Sequence, residues 1–411
     1  MTVARPFVRA LLRSPPNSSK GAALLVILFL VLAAFSTVIV SQLSKANLEA
    51  QKQKKTQEAL AQAKQALIAW SVLQGDIGND TYNRQRPGTL PCPATDDLGS
   101  VGSTCKLASS STIGRLPWKE LGIDVLRDAD GETLWYAMDE NFRRPGLSNT
   151  PINSDSKGSL MLSATDGATS LTPSGEELVA IIFSAGSPLS GQDRSSTTSP
   201  ANYLDSAKDA NNVSWNNAAA GGPFITGPVR DAQGNVTIND IAIGISAKEL
   251  MAAVEKRALK EAQLLLTAYY DANGKYPNPA KATVTTCKST RSSISNTATC
   301  DSDPSTCFGR FPEDISVSSY PATWFQQNAW GRVMTYALSD SGAGCSNTLT
   351  VDGTAKSYVL VAPGTARSGQ TRPSASLADY LEDSANTDAW AANPNFATPS
   401  TVSNDQLRSA P

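Results

Sequence analysis

Four patterns in this 411-residue chain place residues where chemistry could occur. The first is a peptide bond. Gly21-Ala22 follows Ser18-Ser19-Lys20 and opens an apolar run, a small-residue junction of the kind a peptidase cuts. The second is a set of six cysteines, Cys92, Cys105, Cys287, Cys300, Cys307 and Cys345. The third, Asp128-x-Asp130-Gly131-Glu132, groups oxygen ligands as the start of a calcium loop does. The fourth is a segment present twice, Ser-Gly-Gln-x-Arg at Ser190 to Arg194 and at Ser368 to Arg372, each after an apolar strand-like run.

Composition limits what these patterns can do. The chain has no histidine, which excludes Ser-His-Asp and Cys-His nucleophilic sites, H-E-x-x-H zinc sites and imidazole proton shuttles. The calcium pattern lacks a bidentate Glu at the twelfth position, so an ordinary turn is favoured. For the two Ser-Gly-Gln-x-Arg segments, an Arg and Gln that tie a long loop to its own sheet are favoured over a repeated ligand site. The cysteines form an even set with Ser, Thr, Pro and Gly around them and no C-x-x-C pair. That suits disulfides in an oxidising periplasm better than a zinc site. A net charge of -2 leaves no footprint for nucleic acid. The residues point to no enzyme, no cofactor and no metal.

The junction is defined by what surrounds it. From Ala22 to Val40 only Ser36 and Thr37 are polar; as a helix this run spans about 28 Å, close to the roughly 30 Å apolar core of a bilayer. A secretory signal has its small residue after the apolar core. Here Gly21 precedes it, behind Arg5, Arg9, Arg13 and Lys20. The arrangement resembles the class III signal of type IV prepilins and of type II secretion pseudopilins. That resemblance implies cleavage after Gly21 by a prepilin peptidase and packing of the exposed helix into a filament. The sequence departs from the pattern at Ala22, usually Phe or Met, and at Val26, usually Glu. Without that carboxylate Val26 cannot pair with a neighbour's terminal amine, and the resemblance then implies a minor, tip-located subunit. Basic residues on both sides of the run nearly balance, so orientation rests on the cysteines and on the resemblance.

Beyond the run, Ser41 to Leu73 has no Pro or Gly, and Ala59, Leu60, Ala63, Ala66, Leu67, Trp70 and Leu73 recur at helical spacing. The chain then repeats itself once. A second helix opens on Ser246-Ala247-Lys248-Glu249, a capping-box pattern, and stops at Asn273-Gly274. Gly114-Arg115-Leu116-Pro117 answers Gly309-Arg310-Phe311-Pro312. The turn at Asp128 to Gly131 answers Asn328 to Gly331, with Gly131 and Gly331 expected at positive φ. Tyr203-Leu204-Asp205 answers Tyr380-Leu381-Glu382.

The expected fold is α+β: a long N-terminal helix spine, membrane-spanning in its first half, with two tandem pilin-like heads of helix plus antiparallel sheet. The segments are a leader (1–21), spine (22–73), first head (74–215), linker (216–245), second head (246–396) and disordered tail (397–411). Repeat position pairs Cys92 with Cys105 and Cys287 with Cys300 or Cys307, with Cys345 taking the remaining partner. The function expected is that of a minor pilin or pseudopilin-like subunit in, or at the tip of, a type IV pilus or type II secretion pseudopilus. The alternative is a membrane-anchored periplasmic binding or adhesion protein. Expected partners are the prepilin peptidase, other pilin or pseudopilin subunits met through the N-terminal helix, and the inner membrane, with the heads in the periplasm.

Overall fold

Alanine, leucine, glutamine and lysine dominate the chain up to Val72, and the helix they favour, α1, runs without interruption from Ser19 to Val72. The computed structural model describes residues 19–74, 86–102, 112–143, 151–195, 199–281, 300–315, 317, 323–339, 348–374, 376–388, 395–400 and 403–410, with side chains described from residue 46 onward. The chain divides into two compact units, Met1–Lys54 and Lys55–Pro411. In the second unit α1 buries Ala59, Leu60, Ala63, Leu67 and Trp70, the stripe its spacing predicts, whereas Leu73 at the end of the stripe is exposed.

Two antiparallel meanders follow. The first contains β1 (Ile113–Arg115), β2 (Trp135–Met138), β3 (Leu178–Ser184) and β4 (Ile241–Ser246), paired in that order. Helix α2 (Ala247–Asn273) comes next. The second meander contains β5 (Ala280–Lys281), β6 (Phe308–Arg310), β7 (Thr335–Leu338), β8 (Tyr358–Ala362) and β9 (Gln406–Ala410), again in chain order. The repeated sequence anchors occupy equivalent register positions. Gly114 faces Tyr136 as Gly309 faces Tyr336, and Tyr136 faces Ile182 as Tyr336 faces Leu360.

Strand β3 is apolar without alternation because both of its faces are covered. Val179, Ala180 and Ile182 join the main core, while Ile181 and Phe183 pack on the other face with Trp135, Tyr203 and Phe224. The main core gathers Leu60 and Leu67 of α1, Leu250, Val254 and Leu265 of α2, Tyr136 and Ile182 of the first meander, and Tyr336 and Leu360 of the second.

Helix α2 carries the caps its sequence predicts. The Ser246 hydroxyl accepts from the Glu249 amide at 3.1 Å, and Gly274 closes the helix at φ 69°. The turn at Asp128 has Gly131 at φ 90°, but Gly331 has no positive φ. In the second copy Ala329 takes the left-handed position and Trp330–Val333 forms a helical turn, α3. Gly331 is required there for a different reason: a Cβ would stand 2.8 Å from the Phe311 carbonyl oxygen.

The expected architecture of two tandem heads on a membrane-spanning spine is corrected by these observations. Among the residues whose side chains are described no helix is long and apolar enough to cross a membrane, so the inner-membrane anchor and periplasmic placement have no support. Gly21, Ala22 and Val26 fall in α1 where side chains lie outside the description. Residues Lys55–Pro411 form one unit with one main core, and among the described residues four further sheets of two or three strands are separate from the two meanders.

The halves are joined because Ser246 ends β4 and also caps α2, leaving no free linker. Residues 216–245, expected as that linker, instead supply β4 and several short strand pairs. The tail expected to lack structure supplies β9, which pairs along the whole of the buried strand β8. A buried strap, Pro151–Ser156, also crosses between copies. Its Ile152 amide donates to Asn328 Oδ1 at 2.9 Å, and Asn153 Nδ2 donates to the Asn328 carbonyl at 2.8 Å.

Each expected cysteine pairing includes a residue that lies outside the description. No disulfide joins two described residues. Cys92, Cys300 and Cys307 are each disulfide-bonded, and none of the described cysteines is free. Cys105, Cys287 and Cys345 lie outside the described residues, so the expected pairings are not observed.

Candidate functional site

An arginine two residues after a glutamine, on a loop that leaves a buried strand, can fold back and donate to the carbonyls the strand end leaves unpaired. Both copies do this. Past β3, the Arg194 guanidinium donates to the carbonyls of Gly186 at 2.7 Å and Ala185 at 3.3 Å, and to Gln192 Oε1 at 3.0 Å. Past β8, Arg372 donates to Gly364 at 2.6 Å, Pro363 at 3.3 Å and Gln370 Oε1 at 2.9 Å. Arg372 adds the Tyr380 carbonyl at 3.0 Å.

Each glutamine passes the contact to a carboxylate. Gln192 Nε2 donates to Asp205 at 2.8 Å, and Gln370 Nε2 to Glu382 at 3.1 Å. That carboxylate accepts from the backbone of an Asn-Asp pair, Asn239 at 2.7 Å and Asn404 at 3.0 Å. The paired aspartate, Asp240 or Asp405, accepts from the amide of the first carboxylate's own residue at 2.7 Å or 3.1 Å. One tyrosine ring per copy carries two guanidiniums. Arg115 and Arg194 lie 4.0 and 5.1 Å from the centre of Tyr203, and Arg310 and Arg372 lie 4.6 and 4.7 Å from that of Tyr380.

Burial sets the electrostatics. Desolvation, with the charge of Asp205 beside it, holds Asp240 well above the usual carboxylate range. In the second copy burial and the Glu382 charge push Asp405 up to about 7. Burial also lowers Arg115 and Arg310. The second cluster is larger because the strap and α2 enter it. Arg372 lies 3.9 Å from Asp155, and Glu255, fully buried on α2, accepts from Ser154 at 2.5 Å and from Gln406 Nε2 at 3.1 Å. Desolvation raises Glu255 to about 8.

Asp128 is an anchor of the same kind. Its Oδ1 accepts from the amides of Asp130 and Glu132 at 3.0 and 2.9 Å, and its Oδ2 from Ser184 Oγ at 2.7 Å and the Gly186 amide at 3.2 Å. Both oxygens face hydrogen-bond donors: Oδ1 closes the turn on its own amides, and Oδ2 ties it to the end of β3. Among the described residues no group of three or more acidic or cysteine side chains is arranged to hold a metal. A surface groove of about 750 Å³ lies between α1 (Ala61, Gln62, Gln65) and the segment Gly122 to Leu126.

The structure therefore brings the two Ser-Gly-Gln-x-Arg segments into matching clusters built on carbonyl and carboxylate contacts. Sequence reasoning reached the Gln, Arg, Tyr and first carboxylate of each, and missed Asp240, Asp405 and Glu255. A signal for two of them was present: Asn239-Asp240 and Asn404-Asp405 stand immediately before β4 and β9. Comparison of this chain with protein-family models, with characterised sequences and with solved structures finds no match.

Proposed function

We propose that this chain is a minor pilin-like or pseudopilin-like structural subunit. In this reading a prepilin peptidase cuts it between Gly21 and Ala22, and it is assembled in or at the tip of a type IV pilus or type II secretion pseudopilus. The observation that carries the reading is the junction itself, a glycine between a basic leader and an uninterrupted apolar run. A continuous helix from Ser19 to Val72 is compatible with it, because the chain that remains after the cut would begin within that helix. The clusters of the second unit support a structural role. Their arginines and carboxylates are engaged in holding loops to sheet ends, and the chain lacks the imidazole that most hydrolytic sites use. Val26 favours a tip position, where no neighbour's amine requires a carboxylate.

The peptidase must accommodate a small residue on the leader side of the scissile bond. Gly21→Val, expressed beside an active prepilin peptidase, is expected to keep its leader and to migrate more slowly than the cut wild-type chain on a denaturing gel. Migration of Gly21→Val as the shorter form would remove the class III reading.

A further inference from the structure

Among the described residues β9 pairs with one strand, β8, and its five residues are all partly exposed. Its counterpart β4 is held at its far end by α2, which continues from it; no described element continues from β9. What holds the start of β9 is a buried joint. Gln406 Nε2 donates to the Ala252 carbonyl at 2.9 Å and to Glu255 Oε2, and the preceding Asp405 accepts from the Glu382 amide. Further along, Arg408 donates to Gln263 Oε1 at 2.6 Å.

The joint holds more carboxyl groups than its cations reach. Facing Glu255 are Ser154 from the strap, Arg372 from the loop after β8, and Asp405 and Gln406 from the approach to β9. Facing Asp405 are Glu382, Ser403 and Arg372. At ion-pair distance, Arg372 reaches Asp155 and Arg367 reaches Glu382; among the described residues no cation stands that close to Glu255 or Asp405. Asp405 Oδ1 is buried with no hydrogen-bond partner. Two such carboxyls cannot both be buried as anions at low cost, and at least one holds a proton in the closed structure.

We propose that the Glu255–Asp405 joint is a proton-operated latch on β9, closed when its carboxyls are protonated and released as they ionise. Release frees the edge strand β9 and uncovers the edge of β8 while leaving the rest of the sheet intact. Opening is the least costly response to ionisation because β9 is an edge strand, whereas α2 and β8 are fixed in the core.

The sign follows from linkage. Glu255 has a folded value of about 8 against an ordinary 4.5, and Asp405 about 7 against 3.8. Each therefore favours the closed latch fully below its ordinary value. That contribution is lost as pH rises toward the folded value, and is constant above it. Between about pH 5 and pH 7 the opening constant should rise roughly tenfold per pH unit for each carboxyl that gives up its proton on opening.

Hydrogen exchange of the full chain at pH 5.5 and 8.5, corrected for the intrinsic rate, tests this. Gln406–Ala410 should lose at least tenfold in protection while Thr335–Leu338 in β7 holds. Glu255→Gln, alone and with Asp405→Asn, should flatten the change, because the amides are neutral at both pH values. The latch is overturned by a change below threefold in wild type. It is also overturned if β7 and β9 lose protection equally, or if Glu255→Gln follows the wild-type profile. If the double variant does not fold, Glu255→Gln and wild type still decide.

Discussion

Arg372→Ala is expected to be among the most destabilising single changes in this protein, lowering the stability of the unit Lys55–Pro411 by about 3–5 kcal/mol. The side chain is 1% exposed and donates to the carbonyls of Pro363, Gly364 and Tyr380. Removing it leaves those oxygens without their donor and takes the guanidinium away from the buried Asp155. Arg372→Lys should recover little, because an ammonium cannot reproduce the planar fork that reaches carbonyls on both sides of the loop. The equivalent change in the first copy should cost less, about 1–3 kcal/mol. Arg194 has fewer carbonyl partners and pairs with the partly exposed Glu132 at 3.1 Å. Urea unfolding of the three variants, read as midpoints at unchanged slope, measures the order. Equal losses for Arg194→Ala and Arg372→Ala would show that the added contacts of the second copy carry no stability.

Trp330→Ala is expected to lower stability by a similar amount, about 3–5 kcal/mol, because its ring is fully buried in the main core. The form of the transition matters more than its size. Leu60 and Leu67 of α1, the first meander, α2 and the second meander share that core, so a cavity at Trp330 should weaken both halves together. Calorimetry of wild type and variant should each give one transition for Lys55–Pro411, displaced to lower temperature in Trp330→Ala. Two transitions, with only one displaced, would restore two independently folding heads.

Much of this arrangement can be read from residue types. The helix stripes from Ala59 to Trp70 and from Leu250 to Leu265 follow from apolar spacing, and the cap at Ser246 from the preference of a hydroxyl for an unpaired helix amide. The equivalence of Gly114-Arg115 with Gly309-Arg310 was legible because a duplicated sheet repeats its contacts. The joining of the halves was not. Local patterns do not state that α2 buries its stripe in the same core as α1, nor that Pro151–Ser156 is drawn inside by Asn328 and Glu255. The strand Gln406–Ala410 was missed for a related reason. Its own residues, Gln-Leu-Arg-Ser-Ala, include no β-branched or aromatic side chain, and its conformation comes from pairing with the edge of β8. The burial of Glu255 leaves no mark in the local sequence, since burial of a carboxyl depends on what lies across from it and not on its own helix.

The account of what this protein does depends on one covalent event, and the mass of the mature N-terminal peptide reports it. The full chain, produced beside an active prepilin peptidase, should yield an N-terminal peptide beginning at Ala22; produced beside an inactivated peptidase, it should retain the leader through Gly21. A chain whose leader stays intact with the active enzyme, or whose cleavage falls after the apolar run ending at Val40, would contradict the pilin-like reading.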